Sequence, residues 1–210
     1  MFPAFAQDDT LSAGNAVFQD ASRLYRTKQY EAALAKYEEA LKADPSDVRI
    51  YLNMSVIYRI LNNYPKAIET LQDGLKNATR NRYMLFINIG DCYYTKSDFT
   101  NAQKYYSAAI EDNGLYPDSY LQRANARMDL KLVKEAAVDY RTYLRLKPDA
   151  PQRPKIEQLL ALLDKEAANQ AALLDNILNS LKNASSGTHT DSAGVDDFKD
   201  TGTSGGDILD

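Results

Sequence analysis

The chain has 210 residues, a length for one or two domains, of which 44% are hydrophobic and 26% charged. Lys and Arg number 25 against 29 Asp and Glu, a formal net charge of -4, which argues against a nucleic-acid partner held by phosphate neutralisation. One cysteine, Cys92, and one histidine, His189, exclude an internal disulfide, a Cys-built zinc site and any mechanism needing two imidazoles. No apolar run approaches the ~18 residues of a membrane-spanning helix.

In chain order, the first segment is residues 1–13, opening MFPAFAQDD. Ala4-Phe5-Ala6 ahead of Gln7 has the small-x-small form of a secretory cleavage site, without the basic start and apolar middle of a full signal. It reads as the remnant of a signal peptide. That reading puts the protein in the periplasm or outside the cell, with a cytoplasmic location as the alternative.

Four self-similar segments follow, at 14–47, 48–82, 83–116 and 117–148. Their aligned cores begin at Val17, Tyr51, Phe86 and Tyr120, so the period is 34, 35 and 34 residues. Numbering positions within each repeat, position 8 is small: Ala21, Ser55, Gly90, Ala124. Position 20 is Ala33, Ala67, Ala102 and Ala136. Position 24 is Tyr37, Leu71, Tyr106 and Tyr140, and position 27 is Ala40, Gly74, Ala109 and Tyr143. Position 17, at the bend, is Tyr30, Tyr64, Phe99 and Val133. Position 32 is Pro45 and Pro148 in the outer repeats and Thr79 and Gly114 in the inner ones. Tyr143 and Asp20 depart from the small and apolar types expected at their places. Apolar residues recur at three- and four-residue intervals, as in Tyr51, Met54, Tyr58 and Leu61, which predicts two amphipathic helices per repeat. Pro65 and Pro117 sit where first helical turns begin, a place proline tolerates. Neither helix of such a pair buries its stripe alone, so neighbouring pairs must stack.

Beyond Pro148, residues 149–183 begin with the turn-rich DAPQRP. They continue with Ile156, Leu159, Leu160 and Leu163 on one helical face, as a helix closing the stack would. The pattern runs on through Leu173, Leu174, Ile177, Leu178 and Leu181. These either line one long exposed helix or offer an apolar stripe to a partner or a second copy. Residues 184–210 are rich in Gly, Ser, Thr and Asp and lack periodicity, the composition of a disordered tail. They hold six Asp and one Lys, so the rest of the chain carries 24 basic against 23 acidic residues: the acidity lies in the tail. Val195-Asp196-Asp197-Phe198 and Asp207-Ile208-Leu209-Asp210 are apolar-acidic clusters within it.

The period and the residues at positions 8, 17, 20, 24, 27 and 32 resemble the tetratricopeptide repeat family. The resemblance implies an all-α fold: a right-handed α-solenoid of four helix pairs with a C-terminal capping helix and a disordered acidic tail. It implies that the first helix of each pair lines a concave groove, with positions 2, 5, 6, 9, 12 and 13 facing it. Position 5 is then Phe18, Leu52, Ile87 and Leu121, always apolar. Position 6 is Gln19, Asn53, Asn88 and Gln122, always a carboxamide. A carboxamide both donates and accepts, which suits the alternating N–H and C=O of an extended peptide. Tyr25, Arg59, Tyr94 and Met128 at position 12 add contact area and one charge. Within the family, the co-chaperone clamp for a C-terminal carboxylate needs Lys, Asn, Asn, Lys and Arg at fixed positions. The first register here supplies Phe18, Ser22, Asn53, Met84 and Asn88; the second supplies Leu52, Val56, Asn88, Asp118 and Gln122. Every cation is missing, so that subclass is disfavoured.

Catalysis is not expected. His189 lies in the tail, Cys92 falls on a packed helical position, Glu38 and Glu39 on a solvated face, and no Gly-rich phosphate loop occurs. No cofactor or metal is called for. The expected function is a non-enzymatic scaffold that binds a peptide or protein in the groove, in an exported bacterial protein serving cell-envelope assembly. Two alternatives stand beside it: a small-ligand, lipid-binding or transporter-auxiliary protein using the same groove, and a structural oligomeriser working through the C-terminal helix.

Overall fold

A computed structural model of the chain describes residues 5–186, with side chains over 14–182. The described residues form nine α-helices and no strand: α1 Phe5–Arg26, α2 Tyr30–Ala43, α3 Val48–Ile60, α4 Tyr64–Asn77, α5 Arg82–Thr95, α6 Phe99–Asp112, α7 Pro117–Asp129, α8 Val133–Leu146 and α9 Arg153–Ser186. This is the expected all-α repeat. The chain divides into two compact units, Met1–Leu163 and Asp164–Asp210. Residues 1–4 of the signal-like segment lie outside the described residues. So do residues 187–210, which include His189 and both apolar-acidic clusters.

Each repeat turns in the same way between its two helices. Lys28, Asn62, Ser97 and Lys131, all at position 15, have φ between 57 and 64°. At each turn the residue after the left-handed one donates its N–H five residues back: Gln29 to Leu24, Asn63 to Tyr58, Asp98 to Tyr93 and Leu132 to Arg127, at 2.8–2.9 Å. The left-handed residue itself donates three back, to Tyr25, Arg59, Tyr94 and Met128. These paired bonds satisfy carbonyls that a helix end otherwise leaves orphaned, in the Schellman arrangement. The second helices start on local acceptors where the sequence supplies them, Asn63 for Lys66 N–H and Asp98 for Asn101 N–H, each at 3.1 Å. The one 35-residue interval is taken up at Asn81, another left-handed residue, and α5 begins at Arg82 directly after it.

The first unit's core is a series of layers. Ala21, Ser55 and Ala124 are fully buried at position 8, and Gly90 is buried with them. A Cβ on Gly90 would lie 2.5 Å from the Tyr106 ring, and one on Gly74 would lie 2.8 Å from the Tyr51 ring. The small residues are thus seats for aromatic rings. Tyr51 and Tyr120, both at position 4, donate to the carbonyls of Pro45 and Gly114, which ties each repeat's start to the loop before it. Tyr143, large where its counterparts are Ala or Gly, is fully buried and donates to Gln152 Oε1 at 3.0 Å. It packs with Leu144, Ala150, Ile156 and Leu160, because α8 is followed by the start of α9 rather than by another repeat. Asp20, the other departure, is exposed and pairs with Arg23 at 3.0 Å.

A charged clip binds the last repeat to the one before it. Arg123 on α7 grips Asp139 on α8 with two bonds of 2.7 and 2.9 Å and donates to Ser107 on α6 at 3.1 Å. Arg127 adds a 2.6 Å bond to the same carboxylate. Asp139 is 2% exposed, so these partners offset the cost of a buried charge.

Candidate functional site

The first helices of the first three repeats adjoin, α3 touching both α1 and α5, and the Tyr94–Asp129 hydrogen bond links α5 to α7. The first helices of the pairs therefore converge on one side of the stack. Two side-chain contacts and one longer-range electrostatic interaction cross from helix to helix there. The Arg49 guanidinium of α3 lies 4.8 Å from the Phe18 ring centre of α1. Arg59 of α3 acts electrostatically on Asp91 of α5. The Tyr94 hydroxyl of α5 donates to Asp129 Oδ2 of α7 at 2.7 Å.

The ten candidate residues fall on these four helices, but they are not equally available. Phe18 is only 9% exposed, against Tyr37 at 5.7 Å between ring centres, so it belongs to the core more than to an open surface. Leu52, Ile87 and Leu121 are half-buried, as are Arg59 and Tyr94. Among the carboxamides, Gln19 is exposed and Asn53, Asn88 and Gln122 are half-buried. Asn88 Nδ2 donates to the Met84 carbonyl of its own helix at 2.9 Å, and Asn53 acts on the Tyr37 hydroxyl, holding its pKa down against burial. The bond to Met84 uses one of the two Asn88 N–H groups and neither lone pair of its oxygen.

A second set, at position 9, was not among the candidates. Ser22 Oγ lies 3.1 Å from the Tyr37 hydroxyl, Tyr106 donates to Asp91 Oδ1 at 2.9 Å, and Tyr140 donates to Asn125 Oδ1 at 2.8 Å. Each pair spans 15 residues and joins the first helix of a repeat to its second. In the second repeat both members are apolar, Val56 and Leu71. The signal was present in the sequence as a polar residue wherever position 24 is Tyr and an apolar one where it is Leu.

These bonds set the electrostatics of the face. Burial pushes the Asp91 carboxyl above its ordinary value, against the opposing pull of the Tyr106 hydroxyl and of Arg59. Burial and the Asp129 carboxylate together push the Tyr94 hydroxyl up to about 12, so it stays a donor at neutral pH. Cys92 is fully buried and burial pushes its thiol to about 11, which leaves it un-ionised and unreactive. Among the described residues no three His, Cys, Asp or Glu side chains come together as a metal site, and no helix is long and apolar enough to cross a membrane.

Two profiles described as tetratricopeptide repeat match residues 24–85 and 87–151. The Hsp70-Hsp90 organising protein of Plasmodium falciparum (isolate 3D7) is 30% identical over 126 residues, 56% of this chain and 22% of that protein. The bovine BBSome complex member BBS4 is 35% identical over 95 residues, 44% of this chain and 18% of that protein. The chain thus spans about a fifth of the length of these curated relatives. Among solved structures, MamA superposes with a TM-score of 0.59 at 18% identity, over 79% of this chain and 95% of MamA. PilF of Pseudomonas aeruginosa gives 0.61 at 19%, over 78% and 72%. YrrB, described as a TPR protein with an unusual peptide-binding site, gives 0.51 at 22%, over 63% and 68%. At these identities the likeness is one of fold.

Proposed function

The chain is a member of the tetratricopeptide repeat family, and on that premise we propose that it is a non-enzymatic scaffold whose inner face, lined by α1, α3, α5 and α7, binds an extended segment of a protein partner. The observation that carries this reading is the row of half-buried apolar residues Leu52, Ile87 and Leu121 beside Asn53, Asn88 and Gln122. Apolar surface supplies affinity, and carboxamides that pair with a peptide backbone supply register. Family relatives bind proteins: one curated relative is named for organising Hsp70 and Hsp90, and another for membership of a complex. The absence of cations at the clamp positions points to a ligand other than a terminal carboxylate held by Lys and Arg.

The test is capture of a partner by the immobilised full chain, with an Asn53→Ala, Asn88→Ala variant alongside. A partner held by the parent chain and lost from a folded variant supports the inner face. Retention by the variant moves the interface elsewhere. A second reading has its own observation: Leu173, Leu174, Ile177, Leu178 and Leu181 of α9 are 43–62% exposed. A contiguous exposed stripe of this kind on one helix serves as an association face, here for a second copy of the chain. Sedimentation of the full chain against a Leu174→Glu, Leu178→Glu variant tests it: a dimer reduced to a monomer supports the reading, and a monomeric parent at high concentration removes it.

A further inference from the structure

The charges on the inner face are sorted by sign along the repeat axis. Its charged positions on α1 and α3 hold Arg26, Arg49 and Arg59; those on α5 and α7 hold Asp91, Asp118 and Asp129. No acid stands among the inner positions of the first two repeats and no base among those of the last two. Interactions already described place four of the six on this side. Arg49 covers Phe18, Arg59 acts on Asp91, and Asp129 takes the Tyr94 bond. Asp118 is 42% exposed at the start of α7, 3.7 Å from Lys147. Arg26 holds in α1 the place Asp129 holds in α7.

Local pairing trims the two ends without reversing them. Arg49 is bound by Asp47 at 2.6 Å, and Asp118 has its Lys147 neighbour. The sign is then carried chiefly by Arg26 and Arg59 on one half and by Asp91 and Asp129 on the other. Of the turn lysines, Lys28 lies in the first half and Lys96 and Lys131 in the second; all three stand on the turns, outside the inner positions, and the two in the second half offset part of its acidity. Two of the carboxylates are held in place by tyrosine hydroxyls, Asp91 by Tyr106 and Asp129 by Tyr94, so they present fixed acceptors. Pre-set groups lose less entropy on binding than mobile ones.

We propose, resting on the inner-face reading above, that the partner segment is an extended peptide of segregated charge, with its acidic half on α1 and α3 and its basic half on α5 and α7. Complementary placement steers encounter and fixes direction, because a reversed peptide sets like charges together at both ends. Three steps of roughly 8–10 Å between neighbouring helix axes span about 24–30 Å. That is the length of about seven to nine extended residues, long enough for two separate charge blocks.

The experiment is selection of a displayed library of random peptides of about twelve residues, enough for that span, on the immobilised full chain. The expected winners carry Asp or Glu in one half and Lys or Arg in the other. They bind about tenfold more weakly to an Arg26→Glu, Arg59→Glu variant. Winners whose acidic half is rewritten with Lys recover on that variant. Asp129→Asn, which keeps an acceptor for Tyr94 while removing the charge, weakens the same peptides and leaves the helical spectrum unchanged. Winners that are lost from the Asn53→Ala, Asn88→Ala variant but show no charge segregation overturn the polarity and leave the inner-face reading standing. Winners indifferent to that variant, or no winners at all, overturn both.

Discussion

Tyr106 and Leu71 occupy the same place in successive repeats, and one hydroxyl decides what stands opposite each. A buried hydroxyl without a partner costs about 1–3 kcal/mol, so Tyr106 faces Asp91 while Leu71 faces Val56. Asp91 is the expensive solution, since its charge is buried to satisfy a neutral donor. Its carboxyl lies above the ordinary 3.8 because burial outweighs Tyr106 and Arg59. A raised carboxyl binds its proton more tightly in the folded chain than in the unfolded one. Its stabilising contribution is therefore full below the unfolded value and is lost as pH rises through the folded one. The fourth repeat solves the same problem with a neutral group, Asn125 opposite Tyr140. Asp91→Asn should accordingly be more stable than the parent at neutral pH, with the difference closing as the pH falls toward 4. Denaturant midpoints of the two chains across that range check it, and a variant less stable at neutral pH would contradict the account. Retaining a carboxylate where a carboxamide packs better is what a charged binding face would require.

The helix pairs are held by shape at two places that a sequence reveals unequally. Position 8 was legible, because only Ala, Ser or Gly leaves room for an aromatic ring and the pattern repeats four times. Gly90 shows the constraint at its tightest, with the Tyr106 ring anchored by its bond to Asp91 and unable to retreat. In an open helix Gly→Ala gains about 1 kcal/mol of propensity, whereas forcing a methyl into a packed core costs about 1–3. The clash wins, and Gly90→Ala should lose about 1–2 kcal/mol by thermal or denaturant unfolding. Position 15 was not legible. Lys28, Asn62, Ser97 and Lys131 all adopt a left-handed backbone, yet Lys and Ser carry no signature of it. A non-glycine residue there costs roughly 1–2 kcal/mol, so Lys131→Gly should stabilise the chain by about 1 kcal/mol. The same unfolding measurement reads this opposite sign. The Arg123–Asp139–Arg127 clip escaped the sequence for another reason: it occurs in one repeat only, and periodicity reveals only what recurs.

At the scale of the whole molecule, a repeat array is stabilised by its neighbours and leaves one face for recognition. The period, the helix pairs and the ladder of apolar and carboxamide residues were all readable from the chain. The sequence could not reveal how far each ladder residue is already committed. Phe18 reads as a ligand contact and is nearly buried, and Asn88 spends part of its hydrogen bonding on the fold itself. Nor did the linear order draw attention to the sorted charges, which emerge only when the inner positions of α1 and α3 are set beside those of α5 and α7.

The central claim is that recognition occurs on the inner face. It is tested most directly by placing a photo-crosslinking side chain in the full chain at Gln122 of α7 and, separately, at exposed Lys104 of α6, and irradiating each in extract from the source cells. The account predicts a discrete protein adduct from position 122, absent from position 104 and competed away by a peptide selected on the inner face. An adduct formed from position 104 and not from 122 would contradict it.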